Sequence, residues 1–187
     1  METQNLKHRT HDELIEGLED ILNSPTNHGR LDLIVRRPEV DQREVLQEGQ
    51  LDLKYGLLGD TWINRSSSRT PDKSAHPDMQ LNIMNSRVIE LIAIEKERWK
   101  WAGDQLYMDL NISESNTPPG TKLKIGEAII EVSSEPHTGC KKFVERFGLE
   151  AMKFVNAKER KHLHLRGINA KVLKEGRIKT GDIVEKL

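Results

Sequence analysis

Cys140 is the only cysteine among 187 residues, and the run Glu135-Pro136-His137-Thr138-Gly139-Cys140-Lys141-Lys142-Phe143 gives it neighbours suited to sulfur chemistry. Pro136 and Gly139 interrupt the chain before it. Beyond it, Phe143, Val144 and Phe147 have the spacing of one face of a short helix. The sulfur is therefore expected at a helix N-terminus, with Lys141, Lys142 and His137 close in sequence. Unpaired backbone N–H groups and nearby cations favour thiolate over thiol, the form that a sulfur nucleophile or metal ligand needs. A structural reading stands beside this one, because free cysteine is among the most buried residue types. Accessibility separates the two.

Two further stretches could do chemistry. Lys161-His162-Leu163-His164-Leu165-Arg166-Gly167 alternates polar and apolar residues, which predicts a strand. On it Leu163 and Leu165 would face the core, while His162, His164 and Arg166 would lie about 7 Å apart on the other face. Such a row suits a phosphate or carboxylate, with Arg166 as the bidentate partner. A metal is a weaker reading, since no matched cysteine or carboxylate stands nearby. A solvated polar face is the structural alternative. In Tyr55-Gly56-Leu57-Leu58-Gly59-Asp60, two glycines three apart let a turn approach a ligand, and Asp60 can pin it through backbone N–H groups. Alone, that motif is better read as a structural turn. The chain has no phosphate-loop, dinucleotide or nucleophilic-serine motif, no His-Glu-x-x-His helix and no paired cysteines.

Composition narrows the setting. Charged residues make up 32% of the chain and aromatics 4%, so the core must be aliphatic. No apolar run is long enough to span a membrane and no secretory signal is present. A single cysteine points to a reducing cytoplasm. From Lys141 to Leu187 there are 13 Lys and Arg against 6 Asp and Glu, while the remainder is net acidic. That split marks either an anion-binding face or mutual neutralisation within the fold. No dense basic stripe interleaved with aromatics exists, which argues against nucleic acid.

The elements that must position these residues are mixed. Thr10-His11-Asp12-Glu13 has the form of a capping box, followed by Leu14, Ile15, Leu18, Ile21 and Leu22 at helical spacing. The apolar stripe of this helix must pack on its own domain or on a second copy, making a homo-oligomer. Strands are expected at 31–35, 44–46, 79–84, 106–112, 122–125, 128–132, 169–173, 177–178 and 183–185. The pair 169–173 and 177–178 reads as a hairpin through Lys174-Glu175-Gly176. Ser86 could cap a helix carrying Val88 to Trp99 and closed by Gly103, and a further helix follows Cys140 with a break at Gly148. Residues 64–78 form the one long irregular segment, either filler or a lid. Many short strands without regular β–α alternation predict a strand-dominated α+β domain, a barrel or strongly curved sheet.

Taken in order, Gly56-Leu57-Leu58-Gly59-Asp60, Gln80-Leu81-Asn82-Ile83, Asp109-Leu110-Asn111-Ile112, Pro119 to Gly126, His137 to Phe143 with Arg146-Phe147-Gly148, Leu165-Arg166-Gly167-Ile168 and Gly181-Asp182 resemble a MOSC domain. That domain also forms the C-terminus of molybdenum cofactor sulfurases. The likeness runs from about residue 31 to 187, leaving 1–30 as an accessory helix and linker. It implies a barrel-like fold and a functional cysteine, Cys140, which in relatives ligates molybdenum of a molybdopterin cofactor or is proposed to carry sulfur. Gly59, Asp60, His137, Lys141, His162, His164 and Arg166 are the expected cofactor-binding residues. Placing the cofactor's phosphate on Arg166 and its basic neighbours is our inference from the charge split. Where some relatives carry a basic stretch directly after Gly-Asp, this chain has Thr61-Trp62-Ile63-Asn64, with Arg65 one step later. Three functions stay open: reduction of an N- or S-oxygenated small molecule with an electron-donor protein, sulfur carriage as a persulfide supplied by a cysteine desulfurase, and a non-catalytic ligand-binding or assembly module.

Overall fold

The computed structural model describes residues 7–187, so residues 1–6 of the expected N-terminal segment lie outside the described residues. Its centre is a closed, strand-built barrel. The strands are β1 (Gly29–Arg36), β2 (Glu44–Leu46), β3 (Glu48–Asp52), β4 (Gly56–Leu57), β5 (Leu81–Asn85), β6 (Leu106–Asp109), β7 (Lys122–Ile125), β8 (Ala128–Val132), β9 (Ile168–Lys174), β10 (Gly176–Lys179) and β11 (Ile183–Lys186). The main sheet runs β11-β7-β8-β9-β5-β6-β1-β2, and pairing of β11 with β1 closes it. β5 and β6 are parallel, whereas every other ladder is antiparallel. A small sheet, β10-β3-β4, covers one side. The fold is thus α+β and barrel-like, as the alternation of short strands and turns predicts.

Side-chain alternation along these strands separates two apolar cores. Leu81 and Ile83 of β5, Leu106 and Met108 of β6, and Ala128, Ile130 and Val132 of β8 point into the barrel. Met84 and Tyr107, at intervening positions, point outward to the helices. β1 serves both cores through an irregularity. A register shift between Leu31 and Leu33 lets Leu31 and Ile34 fill the barrel while Leu33 and Val35 meet the helical layer.

That outer layer holds α1 (His11–Glu16), α2 (Leu18–Leu22), α3 (Ser86–Ala93), α4 (Lys141–Phe147) and α5 (Leu149–Val155). The capping box of α1 forms as the sequence predicts, with Thr10 and Glu13 bonding each other's backbone amides. Gly17 divides the expected single helix into α1 and α2. Leu14 is wholly buried and Ile21 nearly so, both in the outer core. At α3 the cap is Asn85 and not Ser86. Its Oδ1 accepts from the Arg87 amide, and its Nδ2 donates to the Leu110 carbonyl and Ser24 Oγ. α3 ends at Ile94, in the left-handed region at φ 68°, and a separate 3-10 helix Lys96–Ala102 carries Trp99 up to Gly103.

Two further expectations fail. Residues 161–167 are not a strand: a 3-10 helix covers Lys158–Leu163, His164 takes a left-handed turn, and Arg166 is buried. The Leu163 and Leu165 alternation arises from a helical turn followed by a reversal. Nor do β9 and β10 form a hairpin. β9 pairs with β5 and β8, while β10 crosses to β3.

Leu14 makes the first helix part of the packing around the barrel. Leu14→Ala is expected to lower unfolding free energy by about 2–5 kcal/mol, read by urea denaturation. A loss below about 0.5 kcal/mol would show the helix to be peripheral.

Candidate active site

A cleft of about 500 Å³ opens at the barrel end where β1 and β8 finish and β6 and β9 begin. Cys140 lines it. The residue is the N-cap of α4, as the sequence predicts, and it is exposed. That removes the reading of Cys140 as buried filler.

Arginines dominate the rest of the lining: Arg37, Arg43, Arg65, Arg146 and Arg166. Two are neutralised. Arg37 is 1% exposed and makes a two-pronged pair with Asp60, at 2.8 and 2.7 Å, while also donating to Asn82 Oδ1 and the Gly103 carbonyl. Asp60 also accepts from the amides of Arg37 and Trp62. The glycine-turn aspartate therefore spends its oxygens inside the protein. Gly59, at φ 81°, sits against the Arg36 side chain. The Gly-Asp turn shapes the cleft through Arg37 and the following 3-10 helix Thr61–Asn64.

The second neutralised arginine is Arg166. Its Nη1 donates to both oxygens of Asp104, at 3.0 and 2.8 Å, and its Nη2 donates to the Ala102 carbonyl. Asp104 also meets His137 Nε2 at 2.7 Å. Burial alone would raise the Asp104 pKa, but the Arg166 charge and the His137 contact outweigh it and hold the carboxyl at about 2. Burial, then the Arg166 charge, lowers His137 below its ordinary 6.5 despite Asp104. An ionised Asp104 only accepts, so neutral His137 carries its proton on Nε2 and keeps Nδ1 as a lone pair.

Arg43 and Arg65 are different. Among the described residues neither makes an ion pair with an acid; Arg43 is half-buried and Arg65 is exposed in the cleft lining. Burial, followed by the neighbouring Arg37, depresses Arg65 to about 10. Arg43 is lowered by burial and then by Arg146 and Arg37. Its Nε is buried without a partner, as is the Nε of Arg166. Trp101 supports this crowd without neutralising it: the guanidinium carbons of Arg43 and Arg146 lie 6.0 and 5.6 Å from its ring centre. Arg146 and Lys142 share the exposed Asp41 at the mouth. Like charges held together in partial burial, with unfilled donors, are the chemistry of an anion receptor.

The structure brings Cys140, His137 and Arg166 to one cleft. It directs His162 and His164 to a neighbouring one, and Lys141 lines neither. Sequence reasoning missed Arg37, Arg43 and Asp104. Arg37 lies just past the strand expected at 31–35, and nothing local to it, Arg43 or Asp104 signals a partner dozens of residues away. The basic lining also draws on both halves of the chain, so the C-terminal charge excess alone does not make the site. The irregular segment 64–78 is tied to the approach to Cys140, because Arg69 and His76 both reach Glu135.

The MOSC domain pattern matches residues 71–185 of this chain. The chain belongs to the MOSC domain family. The structure of the YuaD protein from Bacillus subtilis is similar, with 18% identity, a TM-score of 0.63, and coverage of 84% of this chain and 94% of that one. YiiM from Escherichia coli aligns at 22% identity and a TM-score of 0.53, covering 84% of this chain and 69% of that one. No curated protein matches the sequence. Both likenesses concern the MOSC barrel. Among the described residues, no three His, Cys, Asp or Glu side chains converge to hold a bare metal ion, and no helix is long and apolar enough to cross a membrane.

The Asp104–His137 pair makes folding acid-sensitive. Between the depressed His137 pKa and the ordinary 6.5, the unfolded chain binds the extra proton, so stability falls as pH drops through that window. Asp104 adds a further loss between 3.8 and about 2. His137→Gln is expected to flatten the fall in urea midpoint between pH 7 and 5, checked by denaturation at each pH. An unchanged slope would place the sensitivity elsewhere.

Proposed function

We propose that this MOSC domain binds a molybdopterin-type cofactor in the arginine cleft, with Cys140 Sγ as the protein's ligand to molybdenum. The observation that carries this reading is the pair Arg43 and Arg65, charged and without an acid partner, in the cleft that Cys140 lines. A thiolate is a soft ligand suited to a thiophilic metal. With no bare-metal site among the described residues, a metal here arrives already ligated, and one cysteine suffices to complete its attachment. Arg43 and Arg65 would hold the cofactor's phosphate, Arg43 bringing a buried Nε that has no partner within the chain. When bound, such a cofactor supplies a two-electron centre able to reduce an N- or S-oxygenated small molecule. His137 lines the same cleft as a neutral imidazole, and Asp104 fixes its tautomer. An electron-donor protein and a reducing cytoplasmic setting belong to this proposal.

A second reading is favoured by the exposure of Cys140. A sulfur carrier needs its thiol reachable by a donor such as a cysteine desulfurase, and a rim position provides that.

Expression in a host that makes the cofactor separates them. The native chain is expected to retain stoichiometric molybdenum and pterin. Cys140→Ser should lose the metal, and Arg43→Ala with Arg65→Ala should lower pterin retention about tenfold or more. No molybdenum in the native chain, with one extra sulfur on Cys140 by mass after incubation with a desulfurase and cysteine, would replace the first reading with the second.

A further inference from the structure

A second cleft, of about 700 Å³, lies beyond His137 and Thr138, which with Arg166 form the wall between the two. Its floor is apolar, made by Val132, Val155 and Ile168, all at most 7% exposed. The 3-10 helix Lys158–Leu163 and the turn after it supply Lys158, Lys161, His162 and His164 to the lining. From these features we infer that the second cleft is a binding site for a small organic anion, a compact apolar body carrying one phosphate or carboxylate. It is distinct from the cofactor cleft.

Three observations converge. The first is charge. Within the 3-10 helix the only ion pair among the described residues is Arg160–Glu159, so Lys158 and Lys161 are not neutralised there. Of the two acids in the lining, Glu135 is engaged by Arg69 and His76. Glu114 alone opposes two lysines and two histidines.

The second is unfilled hydrogen-bonding capacity. Ser133 Oγ, in this lining, is buried without a partner, and so is the Arg166 Nε of the shared wall. Arg166 is 6% exposed. Donors left unpaired beside the cleft favour an entering oxyanion over a neutral group.

The third is backbone geometry. His164 holds a left-handed conformation, φ 50°, uncommon outside glycine. Its Nδ1 donates to the Ile112 carbonyl, which fixes the ring and leaves Nε2 as the free position. The Glu114 amide donates to the His162 carbonyl, so the turn is braced against the opposite loop. A strained turn held from both sides presents its side chains in a set arrangement. A cleft of this size, with an apolar floor and few polar groups at one side, has the make-up of a small-molecule site.

Calorimetric titration of the full chain, free of cofactor, tests this with phenyl phosphate, benzoate, benzyl alcohol and inorganic phosphate. Saturable binding is expected for phenyl phosphate or benzoate. Whichever binds more tightly assigns the head group. Lys158→Glu with Lys161→Glu should weaken it about tenfold or more, at unchanged melting temperature, since both side chains are exposed. Arg43→Ala with Arg65→Ala should leave it within about twofold. The inference is overturned if no probe saturates, if benzyl alcohol binds as well as the anions, if inorganic phosphate competes equally with the phenyl ester, or if only the Arg43 and Arg65 change abolishes binding. The last result would move the probe to the first cleft. Because no cofactor is present, failure here leaves the molybdenum reading standing, and failure of that reading leaves this one.

Discussion

Asp104 is wholly buried and ionised, and most of the site hangs on it. Arg166 grips both of its oxygens, and His137 takes one of them as well. A buried carboxylate without partners would be intolerable, so the three groups must arrive together or not at all. His137 is thereby fixed against the barrel end, and with it the segment that leads to Cys140. Asn169 adds to this by donating from Nδ2 to the Glu135 and Pro136 carbonyls, and Asn156 accepts from the Gly139 amide. The cysteine ends up at a defined rim position because the residues before it are fastened, though it makes no capping bond itself.

The barrel supplies the platform for these attachments. Its closure through β1 and β11 means that β1 has neighbours on both sides, and the shifted register in β1 shares that strand between two apolar cores. Arg37 follows directly from the end of β1, and Asp60 from the turn after β4, so their pairing staples the small sheet to the barrel beside the cleft. Gly167 allows the chain to enter β9 at φ 119°, where a Cβ would collide with the Ile83 carbonyl. Arg166 can then turn inward immediately before the strand begins.

How much of this was legible in the residues depends on the range of the interaction. Local signals read well. β7 and β8 occupy the spans that their alternation predicts, the α1 capping box forms, and Cys140 stands at the N-terminus of α4. Signals of mixed origin misled. Leu163 and Leu165 alternate like a strand, yet Leu163 ends a 3-10 helix and Leu165 belongs to the reversal after it. Gly176 looked like a hairpin turn, but it starts a strand paired with β3, residues 48–52. Arg43 and Asp104 were invisible because their importance comes from partners far along the chain. The ordered motifs of the MOSC resemblance recovered the family where single motifs could not.

The arginine cleft is in tension with itself. Arg37, Arg43, Arg65 and Arg146 crowd one space, and among the described residues Arg43 and Arg65 make no direct ion pair with a carboxylate, so repulsion from their neighbours is only partly offset. Easing that repulsion does not require one particular molecule: any anion that reaches the cleft, or salt that screens it, relieves the same strain.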